Sequence, residues 1–250
     1  MIRPGLVSIS FRSHVPRQVA ALVKEGGLDA IEWGGDVHVP HGDLARAKEV
    51  AAITADAGLQ VAAYGSYYRA GAGNFEPIRD TALDLGAPLI RIWAGDAGSA
   101  DVDDTRRKVI VNDVIHVSEL SAATGVRVAL EWHGGTLTDT LASAQALLAE
   151  ASHPNLSTLW QPVPDRTQRE CQEELSVMGG RISNLHVYHW TDGLERRPLE
   201  DGAGVWRNYF AAVPPDEDRF ALLEFVRDDS PDAFLEDAGV LRNLLSAKDG

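Results

Sequence analysis

A single cysteine, Cys171, stands in 250 residues, so no intramolecular disulfide can form and nothing in the sequence asks for an oxidising compartment. Basic residues are scarce as well: 23 Lys and Arg against 37 Asp and Glu leave a net charge of −14. Binding to nucleic acid rests on cations that neutralise phosphates, so no nucleic-acid partner is expected. No run reaches the roughly 18 consecutive apolar residues of a membrane span, and "MIRPGLVSISFRSH" has neither the cationic start nor the apolar stretch of a secretion signal. A cytoplasmic protein without a membrane partner is the expectation. The first apolar run is followed by "ISFRSHVP" rather than by G-x-G-x-x-G, which disfavours a dinucleotide-binding fold.

What the chain does have is eight short apolar runs: "GLVSISF", "LDAIEW", "LQVAAY", "APLIRIW", "VRVALEW", "LSTLW", "ISNLHVY" and "FALLEF". Most are rich in Val, Ile, Leu and aromatics over five to seven residues, which reads as buried parallel strands. Between them lie helical patterns such as "LARAKEVAAITADAG" and "TRRKVIVNDVIHVSELSAATG", several closed by the glycine favoured just past a helix end. Eight alternating units in one chain predict an α/β protein, a single (β/α)8 TIM barrel spanning residues 1–250 as one domain, with its active site at the C-terminal ends of the strands.

Those strand ends carry residues that a packed core would not need. Glu131 in "VRVALEWHGG" and Glu224 in "FALLEFVRDD" each place a carboxylate in apolar sequence, where an unpaired charge is costly to desolvate and calls for a cation. Gln161 in "STLWQP" and His186 in "SNLHVYHW" add an amide oxygen and an imidazole nitrogen. Glu131, Gln161, His186 and Glu224 together suit one divalent metal ion of the Mn, Co or Mg type, with Zn as a further candidate. Trp33, Trp93 and Trp190 are placed to stack on the C–H face of a sugar ring, and His38, Tyr67, His133 and His189 stand near the same rim as substrate contacts.

A Glu at the end of strand five, a ligand on strand six, a His on strand seven and a Glu on strand eight, followed by "DGAGVW" after the seventh strand, resembles the xylose isomerase-like TIM-barrel family of sugar-phosphate isomerases and epimerases, in the superfamily that also contains the AP endonuclease family 2 enzymes. The resemblance covers essentially the whole chain. It implies that Glu131 and Glu224 bind the metal and serve as the acid/base pair, that His186 is a ligand, and that Arg91, His133 and His189 orient hydroxyls. It implies a sugar isomerase or epimerase working by proton abstraction alpha to a carbonyl through a cis-enediolate, on a small sugar, sugar phosphate or keto-sugar, with a homodimer as a family habit. Two other readings share the scaffold: a lyase or dehydratase that uses the same proton abstraction for β-elimination, and a non-catalytic sugar-binding barrel. The departure from the family pattern is Gln161, where Asp is usual; the exchange removes one negative charge from the ligand set.

Overall fold

The computed structural model describes residues 1–164, 166–191, 193–215 and 217–246. Strand and helix alternate from end to end as β1 (Ile2–Val7), α1 (Pro16–Glu25), β2 (Ala30–Gly34), α2 (Leu44–Asp56), β3 (Gln60–Arg69), α3 (Glu76–Leu85), β4 (Leu89–Trp93), α4 (Asp104–Ala122), β5 (Arg127–Glu131), α5 (Leu141–Glu150), β6 (Leu156–Trp160), α6 (Gln168–Met178), β7 (Ile182–Val187), α7 (Ala203–Ala212), β8 (Arg219–Leu223) and α8 (Pro231–Ser246). Each strand pairs in parallel with the next, and β8 returns to pair with β1, so the sheet closes into a single (β/α)8 barrel. No helix among the described residues is long and apolar enough to cross a membrane.

Local chemistry sets where the helices begin. Asp43, Asp103, Thr140 and Thr167 each accept a hydrogen bond from the backbone N–H three residues ahead and so satisfy a donor that the first turn of α2, α4, α5 or α6 would leave orphaned.

Strand side chains alternate between two environments, as the pleat requires. On the outer face Ile31, Trp33, Ile90, Ile92, Val128, Leu130, Trp132, Trp160, Leu185 and Val187 join the large core between strands and helices. On the inner face small clusters fill the lower barrel: Val7, Ala30, Phe220 and Leu222 in one, and Ala63, Leu89, Ala129 and Leu159 in another. One step of two residues further along each strand, the inner face changes from apolar to charged. Ala30 is followed inward by Glu32, Leu89 by Arg91, Ala129 by Glu131 and Leu222 by Glu224. The barrel thus has a dry base and a polar upper layer.

Candidate active site

The upper layer is organised around Arg91, which is almost fully buried. Its Nε donates to Glu32 Oε1 at 2.6 Å, and its Nη1 donates to Glu131 Oε2. Trp93, two residues further on the same inner face of β4, donates its Nε1 to that same Glu131 oxygen. Gln161 Nε2 donates to the other one, Glu131 Oε1, at 2.9 Å. Glu131 therefore has both oxygens engaged.

His186, with no exposed surface, lies between three carboxylates. Its Nε2 is 3.2 Å from Glu32 Oε2, and its Nδ1 is 3.2 Å from Glu224 Oε2 and 3.8 Å from Glu131 Oε1. Burial alone would push the imidazole down, but the carboxylates of Glu224 and Glu32 outweigh it and lift it to about 10. Glu32 is likewise driven up by burial and held down at about 2 by Arg91 and His186. The surrounding carboxylates thus favour positive charge on His186 itself.

Gly65 on β3 makes this packing feasible. A Cβ there would fall 2.5 Å from Arg91 Nη2 and 2.8 Å from Glu32 Oε1, and both of those groups are buried with no room to retreat. Only glycine admits the ion pair at this point of the ring.

Above the charged layer a cavity of about 360 Å³ opens, walled by Ile9, Tyr67, Trp93, Tyr188, Trp190 and Phe225, with Arg91, Glu131, Gln161 and Glu224 reaching it from below. Trp190 packs against Tyr188 at 4.7 Å and Phe225 at 4.8 Å, and Trp93 meets Tyr67 edge-on at 5.4 Å. Tyr67 and Phe225 both have positive φ, 57° and 52°, an uncommon backbone state for bulky residues that clusters at functional sites.

Fit to a divalent ion can be judged from the donors. Gln161 Oε1, His186 Nδ1 and Glu224 Oε2 are buried and accept or donate no directed hydrogen bond among the described residues. An amide oxygen, an imidazole nitrogen and a carboxylate oxygen with no directed hydrogen bond, set among carboxylates, fit a hard or borderline cation that displaces the imidazole proton. Among the described residues no three His, Cys, Asp or Glu side chains close on one point as a finished cage, and Arg91 and Trp93 both hold Glu131 by its Oε2.

Of the residues expected from sequence, Glu131, Gln161, His186, Glu224, Arg91, Trp93, Tyr67, His133 and Trp190 come together at or directly beneath the cavity. Three do not. Trp33 points outward from β2, fully buried, and donates its Nε1 to Thr54 Oγ1 of α2 at 3.0 Å, so it is a core residue of the helix layer. His38 is buried against Trp33 and its Nε2 is paired with the His14 carbonyl at 3.1 Å, away from the cavity. His189 lies against Gly202 and faces a separate hollow shared with Trp206. Arg91 is also different from expectation: its guanidinium is bound by two carboxylates rather than left to orient hydroxyls. Part of the cation expected beside Glu131 is therefore supplied by the chain itself. Glu32 was not singled out from sequence, although "AIEWGG" carries the same signal as "ALEWHGG", a carboxylate flanked by apolar and aromatic residues.

Comparison with known proteins bears on the activity. A curated 3-dehydroshikimate dehydratase of Bacillus anthracis is 48% identical over 173 residues, a match spanning 62% of this chain and 61% of that protein's length. Among solved structures, the probable 3-DHS dehydratase AsbF of Bacillus anthracis superposes with a TM-score of 0.75 over 97% of this chain and 99% of that one, at 22% identity. At that identity the structural likeness speaks for the fold alone. A xylose isomerase-like TIM barrel protein of Mycobacterium smegmatis in complex with magnesium matches at 15% identity with a TM-score of 0.69, over 99% of this chain and 98% of that one. The likeness to the curated dehydratase overturns the expectation of a sugar isomerase or epimerase. The model of the Xylose isomerase-like TIM barrel family matches residues 20–244, and with the closed barrel and its polar upper layer it establishes that the chain belongs to that family.

Proposed function

We propose that the protein is a dehydratase that removes water by β-elimination from a cyclic β-hydroxy ketone of the 3-dehydroshikimate kind, giving an aromatic dihydroxy acid. The observation that carries this reading is Glu224. It is the carboxylate of the cavity floor that no directed hydrogen bond holds among the described residues, its Oε2 lying 3.2 Å from His186 Nδ1 as an ion pair, whereas both oxygens of Glu131 accept hydrogen bonds. A proton acceptor needs a lone pair that no hydrogen-bond donor holds, and it must reach the carbon beside the carbonyl.

In this reading Glu224 takes the proton from the ring carbon alpha to the ketone. The C–H electron pair becomes the ring double bond as the C–O bond on the beta carbon breaks. His133, which lines the cavity and donates its Nδ1–H to the Gly134 carbonyl, acts here in its doubly protonated form: its Nε2–H goes to the departing hydroxide, which leaves as water. Loss of a further ring proton to the ketone oxygen by enolisation completes the aromatic ring. Glu131, fixed by Arg91, Trp93 and Gln161, holds the floor rigid while this happens. A divalent ion, Mg or Mn, held by Glu131, Gln161, His186 and Glu224, would supply positive charge beside the ketone oxygen where charge develops. The walls of Tyr67, Trp93, Trp190 and Phe225 give a flat ring apolar faces and keep bulk water away.

Glu224→Gln tests the assignment. The amide fills the same volume but cannot accept the proton, so turnover of 3-dehydroshikimate should fall by about 1000-fold or more while circular dichroism still reports a folded barrel. Activity within about tenfold of the wild type would remove Glu224 from the role of base.

A further inference from the structure

The cavity has a charge gradient from floor to rim. Its floor carries Glu131 and Glu224, both nearly buried, and Arg91, whose charge is spent on Glu32 and Glu131. Its rim carries Arg12, in the loop after β1, with about half of its side chain in solvent. Arg12 is held in place from two sides: Nε donates to Asp36 Oδ2 at 3.0 Å, and Nη2 donates to the Tyr67 hydroxyl at 3.0 Å. Nη1 reaches only the Ile9 carbonyl, at a long 3.4 Å. A guanidinium carries five N–H donors in a fixed fork, so Arg12 keeps donors to spare facing the cavity.

Tyr67 completes the arrangement. Its oxygen accepts from Arg12, so its own O–H is free to point elsewhere, and burial pushes that hydroxyl up to about 12, which keeps the proton on. The backbone at Tyr67 has φ of 57°, inside the interval where the register between β3 and β4 shifts, and this unusual turn swings the ring over Arg91 and against Trp93.

We propose that Arg12 and the Tyr67 hydroxyl form a seat for the carboxylate of the substrate, and that this seat selects ring acids over otherwise identical neutral rings. The inference rests on the dehydratase reading and adds to it the orientation of the substrate. A carboxylate at the half-exposed rim loses little hydration and gains charge-assisted donors, whereas at the floor it would face Glu131 and Glu224. The ring then descends between the aromatic walls with its ketone and hydroxyls toward the charged layer.

The test uses two ligands that differ only in the carboxylate, 3,4-dihydroxybenzoate and catechol, titrated by calorimetry into the purified full chain with Mg. The wild type should bind the acid about tenfold or more tightly than catechol, and Arg12→Gln should erase that preference while leaving catechol binding in place. Tyr67→Phe should erase part of it. In turnover, Arg12→Gln should raise KM for 3-dehydroshikimate by about the same factor and change kcat much less. A preference for the acid that survives in Arg12→Gln overturns the seat and leaves the dehydratase reading standing. Equal weakening of both ligands also overturns it, since that marks general damage to the cavity. Failure of the wild type to bind either ligand overturns the dehydratase reading and the seat with it.

Discussion

Replacing Glu32 by alanine strips Arg91 of one of its two buried carboxylates and leaves His186 Nε2 without its acceptor. Both groups are fully enclosed, so water cannot step in as a partner. Breaking one side of a buried, hydrogen-bonded ion pair costs about 3–5 kcal/mol, and for a chain of this size each kcal/mol lowers the melting temperature by about 2–4 °C. Glu32→Ala should therefore melt about 10 °C below the wild type. Arg107 and Glu150 provide a control at the surface, where Arg107 Nη2 sits 3.0 Å from Glu150 Oε1 and the glutamate is 45% exposed. Glu150→Ala should cost less than about 1 kcal/mol because solvent screens that pair. Scanning calorimetry on the two variants measures both. Equal, small shifts would refute the claim that the Glu32–Arg91–Glu131 chain is the structural keystone of the upper barrel.

Two further predictions follow from geometry. Gly65→Ala would drive a methyl group into Arg91 and Glu32, so it should depress dehydration by more than about tenfold and lower stability by about 1–3 kcal/mol, read from initial rates and thermal melts; a wild-type rate would show that the ion pair can shift without harm. Asp237 of α8 is nearly buried and accepts from the Leu199 N–H at 2.8 Å, and burial pushes its carboxyl up to about 6 despite that bond. The folded state thus holds the Asp237 proton more tightly than the unfolded chain, whose value is near 3.9, and stability from this group is present below about pH 4 and lost as pH rises through about 6. Asp237→Asn should accordingly be about 1–2 kcal/mol more stable than the wild type at pH 8 and equal to it near pH 4, measured by urea unfolding; an advantage independent of pH would contradict the sign.

Much of the barrel was legible because buried parallel strands leave an unmistakable trace, apolar runs such as "APLIRIW" and "VRVALEW" set between helical periods. Glu131, His186 and Glu224 stood out for a related reason, since a carboxylate or imidazole placed among such residues must find a partner. The identity of that partner was not legible. Arg91 meets Glu32 and Glu131 only because β2, β4 and β5 close in one register, which is a property of the ring and not of any segment. Trp33 shows the cost of ignoring strand parity. Glu131 faces inward and Trp132 outward on β5, so the matching "EW" of β2 places Glu32 inward and Trp33 in the helix layer. His38 and His189 failed as cavity residues for another reason: loop residues carry no periodicity from which to read direction. Isomerisation and dehydration both begin with removal of a proton beside a carbonyl, so the same carboxylates serve either, and only the likeness to the curated dehydratase separates them.

In the proposed reaction the cavity expels water from its substrate. The most direct measurement is to incubate the purified protein with 3-dehydroshikimate and Mg or Mn and to identify the product by mass and ultraviolet absorbance. The account predicts an aromatic product lighter than the substrate by one water, formed in step with substrate loss. Recovery of an isomer of unchanged mass, or of untouched substrate with every divalent ion, would contradict it.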